Sequence, residues 1–167
     1  MLLTETAPDF SQPLELLRAC HQKILNHCEM LLRLCQHVQT QVDDDAQKAA
    51  QQIHRYFSSA AQLHHEDEEV DLFPLLQHNP QASALIRQLQ PQHVELGNLW
   101  SVFESVLADQ QRLTELANMN HQAVALQQLY ASHIEMENEQ LLPLAATLLT
   151  PVQLQQLGAN MQARRQA

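Results

Sequence analysis

The segment HHEDEEVDLFPLL, which begins at His64, occurs a second time in altered form as HIEMENEQLLPLA from His133. Aligned, the two copies share a His, a Glu four residues on, a Leu four beyond that, and then Pro-Leu. Each copy is preceded by a lone His on an apolar stripe, His21 before His64 and His93 before His133, at nearly equal separations. A chain written this way reads as two similar halves, each offering two imidazoles and one carboxylate. That set suits a pair of metal ions better than a single one.

The residues around the repeat favour helix. Only two glycines, Gly97 and Gly158, occur in 167 residues, and Leu, Ala, Gln and Glu dominate. Such a chain has strong helix formers and few of the turn residues an all-β fold requires. Its length is one domain's worth, enough for a core without disulfides. The formal charge of −10 argues against nucleic acid and anionic membrane, because a phosphate binder needs clustered Lys and Arg. The nine basic residues are scattered, apart from Arg164-Arg165.

Cys20, Cys28 and Cys35 fall in one expected helix, where they read as small apolar residues. Cys20 and Cys28 would stand about 12 Å apart along its axis, too far for a disulfide. No C-x-x-C pair, signal peptide or membrane-length apolar run is present, so a cytoplasmic location is expected.

Residues 1–12, with Pro8, read as an irregular lead-in. Apolar positions recur at helical spacing from Leu14 to Val38, with Pro13 in the first turn. Asp43-Asp44-Asp45 opens a second helix running towards Leu76. Asn79-Pro80 starts a third, expected to reach Asp109 with a kink or restart at Pro91. A fourth begins near Asn118 or Asn120 and ends near Leu149. Thr150-Pro151-Val152-Gln153 resembles a capping box that opens a short terminal helix ending at Arg164-Arg165. The expected architecture is all-α: one domain over 1–167, an up-down antiparallel four-helix bundle over about 13–149 and a short C-terminal helix over about 151–165.

At about 100° per residue, each long helix gathers one core-facing stripe. These are Leu14, Leu17, His21, Ile24, Leu25, Cys28 and Leu32; then Phe57, Ala60, Ala61, His64, Glu68, Leu72 and Leu75. The third is Ile86, Leu89, His93, Leu96, Gly97, Trp100 and Glu104, and the fourth is Leu126, Leu129, Tyr130, His133, Glu137, Leu141 and Leu144. Every helix thus centres a His on its stripe, and two add a Glu one turn on. An unpaired buried carboxylate costs several kcal/mol, and no Lys or Arg shares these stripes; Arg18 only edges the first. Two divalent ions would bring +4 against −2.

Taken alone, HHEDEE reads as a solvated acidic tract and a lone His21 or His93 as a hydrogen-bonded core histidine. The doubling favours ligands, because the blander reading must explain four centred histidines and two i, i+4 glutamates separately. His65 with Glu69 repeats the spacing one residue later, which keeps His65 as a further candidate. Tyr130, one turn before His133, either packs or reaches the site.

At these residues the chain resembles the hemerythrin-like (HHE cation-binding) domain family. The pattern is a His on the first helix, H-x3-E-E-x2-L-F-P on the second, His on the third, and H-x3-E before a second Leu-Leu-Pro. The resemblance spans about Leu14 to Leu149. It implies a bundle holding two iron ions, oxo- or hydroxo-bridged, with His21, His64, Glu68, His93, His133 and Glu137 as ligands and both glutamates bridging. Zinc and manganese are the alternatives. Oxygen-carrying hemerythrins have H-x3-H on the third helix and H-x4-D on the last, whereas here Gly97 follows His93 and the last motif is H-x3-E. The missing imidazole leaves a position for water, dioxygen, nitric oxide or substrate, unless His65 or Tyr130 fills it.

No Glu-x-x-His or His-Glu-x-x-His occurs in the chain, which argues against a carboxylate-rich oxidase and a zincin hydrolase. The resulting expectation is a non-haem di-iron protein that binds or senses dioxygen, nitric oxide, or redox or iron state. The alternative is a di-iron stress-response enzyme or iron donor, handling peroxide or nitric oxide or repairing iron-sulfur clusters. A third possibility is a structural helical bundle that pairs its polar stripes internally or binds zinc. The partner is a small diatomic ligand, with no nucleic acid or membrane, and the chain is a monomer or a homodimer.

Overall fold

Asp43, Asn79 and Thr150 each open a helix by accepting a backbone N–H. Asp43 takes that of Ala46 at 2.9 Å and Asn79 that of Ala82 at 3.0 Å. Thr150 and Gln153 exchange side chain-to-backbone bonds at 3.2 and 2.9 Å, which completes the expected capping box. These caps divide the chain in the computed structural model, which describes residues 7–167. The part of the expected lead-in over 1–6 lies outside the described residues, and residues 10–12 form a turn.

Helix α1 is Pro13–His37. Helix α2 is one rod over 44–76: α-helical Asp44–Arg55, Ala61–Glu66 and Phe73–Leu76, joined by π-helical turns Tyr56–Ala60 and Asp67–Leu72. Helix α3 is Pro80–Leu107. A 3-10 segment, Gln110–Asn118, leads to helix α4 over 120–148, in which the π turn Glu137–Leu141 joins Asn120–Met136 to Leu142–Leu148. Helix α5 is Pro151–Gln166. Among the described residues there is no strand. No helix there is long and apolar enough to cross a membrane.

Helix α3 runs on through Pro91, where a kink or restart was expected, so there is no restart. Pro91 and Arg87, the residue whose carbonyl loses its partner to the proline, are both exposed, so water can satisfy that group. The stretch after α3 is a 3-10 segment. It buries Leu113 and Leu116 against the core.

The π turns shift the buried face. Phe73 N–H reaches back five residues to the Glu68 carbonyl, and Leu142 N–H does the same to Glu137. Pro74 and Pro143 follow immediately. A proline has no N–H and its ring collides with the carbonyl four residues back, and a widened turn relieves both constraints. The extra residue advances the inward face by one position. Leu76 and Ala145 are therefore buried, while Leu75 and Leu144, expected on the stripes, are half-buried. Ala60, Gly97 and Glu104, also expected inside, are exposed.

Two apolar clusters fill the interior. Along α1 the chain leaves one cluster at Leu17, passes His21 and enters the other at Ile24. Helix α2 returns from Ala61 past His64 and Glu68 to Leu72. Helix α3 crosses from Leu89 past His93 to Leu96, and α4 returns from Tyr130 past His133 and Glu137 to Leu141. Polar residues from four helices thus form a single layer between two greasy ends. Helix α1 packs on α2 and α4, and α3 on the same two.

Helix α5 folds back beside α1 and the second π turn of α2. Arg164 and Arg165 both pair with fully buried Asp67, the latter at 2.7 Å, and Arg164 also reaches Asp71 at 2.5 Å. A Cβ on Gly158 would lie 1.9 Å from the Phe10 carbonyl oxygen, so α5 can pass this close to the lead-in only with glycine there.

Candidate metal centre

The six residues singled out by the repeat meet in the polar layer. His21, His64, Glu68 and Glu137 present one set of nitrogen and oxygen atoms within 4.8 Å of one another; Glu68, His93, His133 and Glu137 present a second. Both sets share the two glutamates. Glu68 Oε1 lies 3.3 Å from His21 Nε2 and 3.0 Å from His64 Nε2, whereas its Oε2 lies 3.2 Å from His93 Nε2. Glu137 Oε2 is 2.9 Å from His21 Nε2 and its Oε1 3.3 Å from His133 Nε2. Each carboxylate therefore turns one oxygen to each pair of imidazoles. The i, i+4 spacing sets each His beside its own Glu.

The far nitrogens of three rings are held from outside. His93 Nδ1 contacts Glu69 Oε1 at 2.6 Å, His21 Nδ1 contacts Asn138 Oδ1 at 2.6 Å, and His133 Nδ1 contacts Gln92 Oε1 at 2.8 Å. A carboxylate only accepts, so His93 carries a proton on Nδ1, and the carbonyl oxygens facing His21 and His133 require the same of them. In the neutral tautomers this leaves bare Nε2 lone pairs pointing inwards. The Nε2 atoms of His93 and His133 lie 3.0 Å apart. Two lone pairs at that distance repel unless a cation stands between them or one ring takes a second proton.

The carboxylates face the same difficulty. Glu68 Oε2 and both Glu137 oxygens are buried and accept no well-directed hydrogen bond, although ring nitrogens lie within 3.3 Å. Imidazole and carboxylate donors that converge without pairing are a fitting set for divalent first-row metals. Outer partners that fix the ring tautomer are the usual companions of metal-binding histidines.

Without a metal, protons supply the missing charge. Burial pushes the His21 imidazolium down, but the Glu137 and Glu68 carboxylates close to its ring outweigh it and hold its pKa up at about 9. Burial likewise opposes charge on His64 and His93, and the Glu68 carboxylate leads the groups that raise both. Burial would raise the Glu68 carboxyl, yet the charge of His64 and the close imidazoles of His21, His64 and His93 keep it well below the usual range.

Arg18, expected only at the edge of the first stripe, has a specific task. Leu142 N–H bonds Glu137, and Pro143 has no N–H, so the Asn138 carbonyl lacks a helical donor; Arg18 Nη1 takes it at 3.0 Å. His65 belongs to neither candidate ligand set. Its ring stacks on His93 with centroids 4.3 Å apart, and burial, followed by the charges of His93 and His64, keeps it neutral. Tyr130 is buried and packs against Phe57 and His65.

Sequence reasoning missed the outer partners. Glu69 and Asn138 each follow a candidate-ligand glutamate by one residue, a coincidence between the copies that could have flagged them. Gln92 had no such signal. Cys28 and Cys35 are buried as expected and Cys20 partly so; all three are free thiols.

The Hemerythrin HHE cation-binding domain family matches residues 12–145. A Haemophilus influenzae protein described only as uncharacterized is 32% identical over 163 residues, spanning 94% of this chain and 92% of its own length.

Proposed function

Since the chain belongs to the hemerythrin HHE cation-binding domain family, we propose that it holds a non-haem di-iron centre and uses it to bind or sense a small diatomic molecule, dioxygen or nitric oxide, or to report redox or iron state. His21 and His64 would hold one ion, His93 and His133 the other, with Glu68 and Glu137 shared. The observation that carries this reading is the division of each carboxylate between two imidazole pairs. The alternating passage of α1 to α4 between two apolar clusters supports an up-down antiparallel four-helix bundle around the site.

When bound, iron supplies reversible one-electron chemistry and a position for an exogenous ligand. The chain's own residues do the rest. Four neutral imidazoles and two carboxylates leave a pair of divalent ions with net positive charge, which favours the reduced state over strongly oxidising chemistry. Glu69, Asn138 and Gln92 hold protons on the outer nitrogens of His93, His21 and His133, so that the inner nitrogens stay free to bind. Leu17, Leu72, Leu89 and Leu141 close one end of the layer to water.

Metal analysis of anaerobically purified protein, followed by optical spectra as air is admitted, tests the proposal. About two irons per chain with near-ultraviolet bands from a bridged ferric pair are expected. Reversal of a gas-induced change on removing the gas marks a binding or sensing protein. Multiple turnovers with peroxide or nitric oxide, or iron transfer to an apo-cluster protein, would mark a stress-response enzyme or iron donor instead. Zinc, one metal or none, with stability unchanged by chelation, would reject the dinuclear reading.

A further inference from the structure

Next to the ligand sets lies a cavity of about 70 Å³ lined by, among others, Phe57, Gln62, His65, Gly97, Trp100 and Tyr130. Gly97 follows His93 by four residues on α3, and nothing lies within 4 Å of where its Cβ would stand. Measured against roughly 15–30 Å³ for a water molecule, the cavity admits a molecule of about two to four heavy atoms. Gly97 and Gln62 are exposed and form its rim.

Two buried nitrogens of the lining have no partner: His65 Nε2 and Trp100 Nε1. An unpaired buried polar group typically costs about 1–3 kcal/mol, so two around one small cavity call for an acceptor that fits it. An indole N–H can only donate, and an imidazole nitrogen can donate or accept. Phe57 and Tyr130, with rings 5.9 Å apart, contribute apolar wall. Neither His93 nor His133 lines the cavity, whereas His65 does and also stacks on His93, with its ring 6.3 Å from that of His133. His65 is therefore the partition between the cavity and this side of the centre.

We propose that the cavity is a holding site for a small hydrogen-bond acceptor, of the size and kind of peroxide or azide, on its way to the His93–His133 side. Trp100 Nε1–H donates to the held molecule, His65 gates its passage, and Gly97 keeps the mouth open. The inference rests on the dinuclear reading above.

The test is an azide titration of the iron-loaded, oxidised full-length protein, read from visible charge-transfer absorption by stopped flow and at equilibrium, with iron per chain measured on every sample. Gly97→Leu fills the mouth from an exposed helical position, so folding is retained. It is expected to slow azide binding about tenfold or more while two irons remain bound. Trp100→Phe removes one neutral donor and should weaken azide by about 2–10-fold, the effect of a typical hydrogen bond. Gly97→Ala, whose Cβ meets nothing, should behave as wild type.

Unchanged azide rates and affinities in Gly97→Leu and Trp100→Phe, with two irons in each, would overturn the holding site and leave the dinuclear centre standing. So would a two-iron wild type that gives no azide response. Fewer than two irons in the wild type would remove the dinuclear reading and this inference together.

Discussion

The two copies of the repeated segment are alike in the polar layer and differ at several of the positions around it. His64 and His133, Glu68 and Glu137, the π turns, and Pro74 and Pro143 correspond one to one. Around them, Glu69 is matched by Asn138, Asp67 by Met136 and His65 by Ile134. The consequences are physical. One outer imidazole partner is anionic and the other neutral. One copy buries a carboxylate that needs two arginines from α5, where the other carries a half-buried Met packed against apolar neighbours. Pairing each carboxylate with two imidazole pairs demands equivalence, while the outer residues are free to make the two halves electrostatically different.

The largest effect expected tests the shared part. Glu68→Ala and Glu137→Ala should each take metal content from about two ions per chain towards none, because each carboxylate serves both sets. His64→Ala or His133→Ala should deplete one side only. Loss of a single ion in either glutamate variant, by elemental analysis, would break the symmetry.

The clamp separates the copies. Arg164→Ala with Arg165→Ala strands Asp67 as an uncompensated buried charge, which should cost about 3–5 kcal/mol in urea denaturation. Adding Asp67→Met, the residue of the other copy, should recover much of that loss. No recovery would mean that the arginines stabilise α5 by some other route.

Protonation offers a test of comparable size. The folded pKa of His21, about 9, lies above the ordinary 6.5. A raised pKa means its contribution is complete below 6.5 and lost as pH climbs through 9, on the order of 3 kcal/mol at the limit. Metal-free protein should therefore lose thermal stability between those values. Metal binding must displace these protons, so affinity should rise over the same range, and the loaded protein should not show the alkaline decline. A metal-free Tm that stays flat from pH 6.5 to 9 would contradict this account.

The smallest effect concerns the outer partners. Glu69→Gln removes the anionic hold on His93 and should lower metal affinity about 10–100-fold, the usual range for such partners. Asn138→Asp, the converse change beside His21, should move it in the opposite direction by less. Competition with a chromophoric chelator measures both. Equal shifts of the same sign would show that charge is not what distinguishes the copies.

Much of this was legible in the chain. The six converging residues could be read because a helix repeats every 3.6 residues and an i, i+4 His–Glu pair shares a face whatever the partner helix does. Caps at Asp43, Asn79 and Thr150 were equally visible, since a cap is a contact over three residues. Leu75 and Leu144 were misassigned because the periodicity argument assumed an unbroken turn, and the prolines one position earlier widen it. Gly97 and Glu104 sit at the exposed edge of a stripe whose Ile86, Leu89, Leu96 and Trp100 are buried.

The sequence by itself determined which side chains could share a face, because that depends on local geometry alone. It determined too that burying four imidazoles and two carboxylates without counter-charge would be costly. Only the tertiary structure decided that each glutamate divides its oxygens between two imidazole pairs, that Gln92 and Asn138 hold rings on other helices, and that Arg164 and Arg165 return to Asp67. Those contacts join residues up to 117 positions apart. Nothing in local periodicity specifies such distances; they are set when the apolar clusters on either side of the polar layer pack and bring the four helices into register.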